Sequence, residues 1–188
     1  MKHRLKECAK IVRRVSGEIS LDTPLKEAVK VLAEAGIPHL VCGGYAVQHY
    51  GYPRFTADVD VIVPRRYVRE ARDKLSIRGF RKNAGSKMTL THRKSRIEID
   101  ILPGGAALDI DGDKLPYPRK VSDTPRLVTL KQLLRMKLRT KRPKDYADAH
   151  ELLKVNVKPR DFLKFDEFAK AWDRVQEELK RESEMEWR

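Results

Sequence analysis

Cysteine is scarce in this chain. There are two, Cys8 and Cys42, among 188 residues, and their spacing pairs with nothing. That excludes a disulfide framework and a cysteine-built zinc site, and it makes a reducing, cytoplasmic setting the expectation. Long apolar runs are missing too. The opening "MKHRLKECAKIVRRVSG" has no apolar stretch of the kind a signal peptide needs, and no segment approaches the length of a membrane span, so no membrane partner is expected. Internal repeats and low-complexity tracts are absent. The histidines His39, His49, His92 and His150 are scattered without metal-ligand spacing and read as structural or surface groups. No Ser-His-Asp or Cys-His signature supports nucleophilic catalysis. Acids are in deficit: 41 Lys and Arg stand against 27 Asp and Glu, a formal net charge of +14. A basic excess of that size favours an anionic partner, whether nucleic acid, nucleotide or acidic lipid, over a merely solvated basic surface.

What is present suffices for a folded domain. Hydrophobic residues make up 40% of the chain, and its length allows a core without staples. Leu5, Cys8, Val12 and Val15 fall at helical spacing in the basic N-terminal segment. A clearer helix follows, with Thr23 as cap, Pro24 in the first turn, Leu25, Ala28, Val29 and Leu32 on one face, and Gly36 as stop. "IPHLVCGG" reads as a short buried strand ending in a glycine turn, and "YAVQHYG" as a short helix closed by Gly51. "DVDVIVP" is a strand stopped by Pro64. "RYVREARDKLSIRGF" reads as a polar-faced helix, and "SKMTLTHR" and "RIEIDILP" as two strands of a hairpin or meander. Residues 104–113 are turn or loop. After Pro125 the pattern is helical, in "LVTLKQLLRMKLRT", "PKDYADAHELL" and "DEFAKAWDRVQEELKR". Trp172 and Trp187 fall in that last region, where packing is the default role.

Two acids are arranged for chemistry. In a strand, residues two apart share a face. Asp58 and Asp60 therefore project together, with Val59 and Val61 on the core side. A close carboxylate pair repels itself unless a cation sits between. Hard Mg²⁺ suits few carboxylates, with water and substrate phosphates filling its other positions. "RIEIDIL" offers a third acid. Glu98 and Asp100 share one face there, and Asp100 is preferred because it lies mid-strand. Alone, "DVD" would be read as exposed acids on a half-buried sheet. Gly43-Gly44 alters that reading. It lies between a strand and a helix, where bare backbone N–H groups can approach a phosphate. A phosphate cradle followed by a metal-binding acid pair supplies the parts needed for phosphoryl or nucleotidyl transfer.

"CGGYAVQHYGYPRFTADVDVIV" resembles the signature of the polymerase β-like nucleotidyltransferase superfamily. Here it reads Cys42, Gly43, Gly44, thirteen residues, then Asp58, Val59, Asp60, Val61. The Arg54-x-Thr56-x-Asp58 spacing is similar to the branch containing AbiEii-type abortive-infection toxins and related minimal transferases. "MKLRTKRPKDYADAHELL" extends the resemblance through Lys137, Arg142, Lys144, Asp145 and Asp148.

The resemblance implies an α/β (α+β) fold, a small mixed sheet flanked by helices, with a C-terminal helical region. The segments would be a basic N-terminal helix over 1–20, a nucleotidyltransferase core over 21–125, and a helical region over 126–188. Gly43 and Gly44 would hold the nucleotide's phosphates. Asp58 and Asp60 would bind two Mg²⁺ (or Mn²⁺) ions, and Asp100 would be the third acid, ligating metal and activating the acceptor hydroxyl. Lys137 would contact the triphosphate of the NTP substrate. Arg54 either reaches a phosphate or braces the loop before the strand. Asp145 and Asp148 stand open between site and structure, since Asp145 falls in a first turn and can offset the helix dipole. The implied reaction moves a nucleoside monophosphate from an NTP to a hydroxyl on an RNA 3′ end, tRNA among the candidates, or on a protein. A toxin paired with an antitoxin protein is one version of this reading. The alternative is a catalytically inactive nucleic-acid- or partner-binding module on the same fold.

Overall fold

Leu25, Ala28, Val29 and Leu32 are all fully buried, and they form the inner face of helix α1 (Asp22–Glu34). Burying each of Leu25, Val29 and Leu32 is worth about 1.5–3 kcal/mol. The structure, a computed structural model, describes residues 20–108, 114–140 and 142–156. The expected N-terminal helix, the helix "DEFAKAWDRVQEELKR" and both tryptophans lie outside those residues. Helix α1 begins one residue before Thr23, which therefore does not cap it. Leu21 holds the cap position, and the Asp22 N–H is met by Ser20 Oγ at 3.1 Å. Gly36, at φ +67°, ends the helix as expected. Its N–H bonds the Ala33 carbonyl, and the Ile37 N–H bonds Leu32.

The order continues with β1 (Leu40–Cys42), α2 (Gly43–His49), β2 (Asp58–Pro64), a 3₁₀ turn at Arg65–Tyr67, α3 (Val68–Ile77), β3 (Phe80–Lys82), β4 (Thr89–His92), β5 (Glu98–Gly104), α4 (Leu130–Arg139) and α5 (Pro143–Asn156). The expected helix over "RYVREARDKLSIRGF" stops at Ile77. Gly79, at φ +100°, turns the chain, and Phe80 opens a strand that sequence periodicity missed. Three residues are too few to show a period.

The five strands make one mixed sheet in the order β1-β2-β5-β4-β3. Strands β2 and β5 are parallel, and the other neighbours are antiparallel. Val59, Val61, Val63, Ile99, Ile101, Leu90 and Phe80 join α1 and α3 in a single buried cluster. His92 shares this face, 2% exposed, against Phe80 and within 3.0 Å of Glu27 Oε2. Buried His39 bonds the Ile37 carbonyl at 2.9 Å, and burial holds its pKa below the ordinary value. Both are structural, as expected.

The chain divides into two compact units. The first contains residues 20–46 and 54–128, with the whole sheet, α1 and α3. The stretch after Pro125 is not yet helical there: Leu127 bridges to Val41, and the Val41 N–H bonds the Arg126 carbonyl. The second unit contains residues 47–53 and 129–156, with α4 and α5. Thr129 caps α4 in a full capping box with Gln132. Among the described residues, no helix is long and apolar enough to cross a membrane.

Candidate active site

Alternation along β2 and β5 turns their acids away from the core. Val59, Ile99 and Ile101 are buried beneath the helices, while Asp58, Asp60, Glu98 and Asp100 occupy the opposite face, each partly buried. The parallel register sets Asp58 beside Glu98 and Asp60 beside Asp100. Cys42 of β1 pairs with Asp60 from the other side. Asp100 Oδ1 is buried and has no hydrogen-bond partner in the structure. A buried carboxylate oxygen without a donor is costly, by about 1–3 kcal/mol or more. A cation would offset that cost.

The glycine turn lies directly against this acid pair. Gly43 has φ +65°, and a Cβ added there would sit 1.7 Å from Asp60 Oδ2. A Cβ on Gly44 would lie 2.3 Å from Thr56 Oγ1 and 2.9 Å from an Arg54 guanidinium nitrogen. Both positions therefore need glycine for close approach, and Gly43 needs it for its left-handed backbone as well. Thr56 is buried, and its Oγ1 donates to Asp58 Oδ1 at 2.8 Å. That bond fixes one carboxylate oxygen of Asp58 before β2 begins. Arg54 donates from Nη1 to the Phe55 carbonyl at 2.8 Å, which braces the loop leading into the strand. Thr56 is the residue that sequence reasoning overlooked. Its signal was the Arg54-x-Thr56-x-Asp58 spacing, which sets a hydroxyl two positions ahead of the first acid.

The second unit gathers the remaining candidates. Lys137 on α4 is 6% exposed, Asp145 is fully buried and Asp148 is 3% exposed, both on α5. Lys137 Nζ donates to Asp145 Oδ1 at 2.6 Å and pairs with Asp148 Oδ2 at 2.8 Å. Thr140 Oγ1 donates to Asp145 Oδ2 at 2.7 Å, and Arg142 Nε reaches the same oxygen. Burial pushes the Asp145 pKa up, but the bonds from Lys137 and Thr140 and the charges of Lys137 and Arg142 outweigh it, and the carboxyl stays below its ordinary value. The cluster ties α4 to α5. So the structure assembles Gly43, Gly44, Arg54, Thr56, Asp58, Asp60 and Asp100 in the first unit, and Lys137, Asp145 and Asp148 in the second.

A divalent cation suits the first group by donor type: hard carboxylate oxygens on one face, one of them buried without a donor. Among the described residues, no three His, Cys, Asp or Glu side chains already converge as a preformed cage.

No protein-family model and no curated protein matches the chain. Solved structures do. The solution structure of the antibiotic-resistance factor ANT(2'')-Ia, an aminoglycoside nucleotidyltransferase with a polymerase β-like fold, superposes with a TM-score of 0.50 at 13% identity, covering 88% of this chain and 97% of that one. A crystal structure of ANT(2'')-Ia in complex with adenylyl-2''-tobramycin gives a TM-score of 0.43 at 12% identity, over 86% and 90% of the two chains. The first of these likenesses shows a shared fold, in this chain a five-stranded mixed sheet flanked by helices.

Proposed function

We propose that this protein is an Mg²⁺-dependent nucleotidyltransferase that moves a nucleoside monophosphate from an NTP to a hydroxyl acceptor and releases pyrophosphate. The supporting observation is the Asp60–Asp100 register on β2 and β5, with a buried, unpartnered Asp100 Oδ1 and the Gly43-Gly44 turn packed against Asp60. Asp58, Asp60 and Asp100 hold the metal. Mg²⁺ or Mn²⁺ held by these carboxylates would offset the charge that develops on the phosphate oxygens.

The backbone of Gly43 and Gly44 approaches the nucleotide's phosphates. Thr56 orients Asp58, and Arg54 holds the entry loop. Asp100 takes the acceptor's proton as the new bond from the acceptor oxygen to the α-phosphorus forms and the bond from that phosphorus to the departing pyrophosphate oxygen breaks. Within its own unit, Lys137 Nζ is held between Asp145 and Asp148. A contact of Lys137 with the triphosphate is carried by the sequence resemblance.

An RNA 3′ end suits the acceptor role better than an aminoglycoside does. Aminoglycosides are polycations, and a chain at +14 repels them except where acids such as Asp58, Asp60, Glu98 and Asp100 gather. A protein hydroxyl is the other acceptor to be tested. A toxin held in check by an antitoxin rests on the sequence resemblance alone.

The experiment is incubation of the purified chain with each labelled NTP, Mg²⁺, bulk RNA and bulk protein, read by mass spectrometry. Nucleotide added to RNA or protein supports the proposal. Absence of both transfer and Mg²⁺-NTP-dependent thermal stabilisation refutes it in favour of a binding module.

A further inference from the structure

We propose that the β3–β4 hairpin and the turn from β4 to β5 form the docking surface for the acceptor RNA, with Arg81, Arg93, Lys94 and Arg96 holding its phosphate backbone. The proposal rests on the nucleotidyl-transfer reading and deepens it by giving the acceptor a place.

Residues 78–96, "RGFRKNAGSKMTLTHRKSR", hold seven Lys and Arg and no acid. Two of the seven are paired, Arg78 with Glu34 and Lys82 with Asp73. Among the described residues, Arg81, Arg93, Lys94 and Arg96 have no carboxylate partner, and all four are exposed. The helices on the other face of the sheet are balanced: α1 and α3 together carry as many acids as bases. Residues 78–96 are thus an acid-free basic segment beside two balanced helices; further exposed cations of this unit lie at Arg65, Arg66, Lys114, Arg119 and Lys120.

The 78–96 segment adjoins the acids. Arg81 pairs with Thr91, Thr91 with Glu98, and Glu98 with Asp58, so all four project from one face. Three strand spacings separate Arg81 from Asp58, about 14 Å. The 93–96 turn runs straight into the start of β5, at the end of the sheet where Asp58 opens β2. An RNA strand lying across β3 and β4 would bring its terminal hydroxyl to Asp100, with the preceding phosphates over the cations.

The turn is also strained. Arg96 is the one described non-glycine residue with positive φ, at 63°, and its N–H bonds the His92 carbonyl at 2.9 Å. An arginine in that conformation is strained, and glycine would avoid the strain. Strain of this kind clusters at functional positions. A lipid surface would need apolar side chains beside the cations. Among the described residues, the exposed large hydrophobics, Ile77, Tyr117, Val121 and Val155, all lie outside residues 78–96.

The test uses the full chain and an unstructured 3′-hydroxyl RNA oligonucleotide, with affinity measured from about 50 to about 200 mM salt. Each phosphate contact to a single strand contributes roughly 0.7 to the slope of log affinity against log salt. The triple variant R93S/K94S/R96G should lower that slope by about 2, and the glycine at 96 should keep the fold. The control K26S/K30S/R69S removes the same charge from α1 and α3 and should change the slope by less than about 0.5. Equal losses in both variants would mean net charge alone, and would overturn the proposal. So would an unchanged slope in the hairpin variant, or its loss of binding to acidic phospholipid vesicles with RNA binding intact. Mg²⁺-NTP stabilisation is read on the same samples. Its absence from the wild type would defeat the nucleotidyl-transfer reading while the RNA slopes still decide the docking surface.

Discussion

Replacing Gly43 by alanine should damage the site through two separable effects. The backbone at φ +65° costs an L-residue about 1–2 kcal/mol. The new Cβ would also meet Asp60 Oδ2 at 1.7 Å, which no real structure tolerates, so the Asp60 side chain must leave its rotamer. Displacing it adds about 0.5–1.5 kcal/mol. Together the loss is about 2–3 kcal/mol, or roughly 5–10 °C in Tm for a chain of this size. The assay is a double-mutant cycle on melting curves: wild type, Gly43→Ala, Asp60→Ala and the double variant, each in chelator. Removing the Asp60 carboxylate removes the clash but leaves the backbone term. The double variant should therefore be about 1 kcal/mol more stable than additivity gives. The same single variant should lose Mg²⁺-NTP stabilisation, since Asp60 has moved. If Gly43→Ala melts within about 0.5 kcal/mol of wild type, or the cycle shows no coupling, the packing of the turn onto Asp60 is refuted.

Asp100→Asn should leave the chelator-treated protein as stable as wild type or more so, because the buried oxygen it alters has no donor to lose. It should abolish transfer and the Mg²⁺-dependent gain in Tm; a variant that melts far lower in chelator would mark Asp100 as structural. Thr56→Val removes a bond to a carboxylate, worth about 1.5–3 kcal/mol, and should lower kcat more than it raises the KM for NTP. Thr56→Ser, which keeps the hydroxyl, should restore most of the loss, and failure of that rescue would show that the methyl, not Oγ1, matters. Lys137→Met takes the shared ammonium away from two buried carboxylates and should destabilise by about 3–5 kcal/mol at neutral pH. Asp145's depressed pKa stabilises the wild type above the unfolded value near 3.8, and that contribution is lost as pH falls below it. In Lys137→Met, burial would instead raise the Asp145 pKa, so the penalty should shrink on acidification. A Tm gap between the two proteins that does not narrow from pH 7 toward pH 4 would contradict this account.

Local periodicity was enough to place much of this site. The period of two in "DVDVIVP" and "RIEIDILP" determines that Asp58 shares a face with Asp60, and Glu98 with Asp100, in whatever sheet those strands join. The glycines at 36 and 51 ended their helices where expected, because a left-handed terminus is a local demand on one residue. Pairing between distant segments is not local. Only the tertiary structure decided that β2 and β5 run parallel and in register, so that Asp60 meets Asp100 across 39 intervening residues. It also decided why Gly43 and Gly44 are glycines: the side chains of Asp60 and Thr56 occupy the space that Cβ atoms would fill. Asp145 and Asp148 could be read from sequence as site or as structure with equal force. Their part became visible once the packing of α4 on α5 excluded water from Lys137 and left two carboxylates as its partners. Residue type and spacing set which groups can share a face. Which groups touch depends on strand register and helix packing, and those follow from the burial of the whole core rather than from any short stretch of chain.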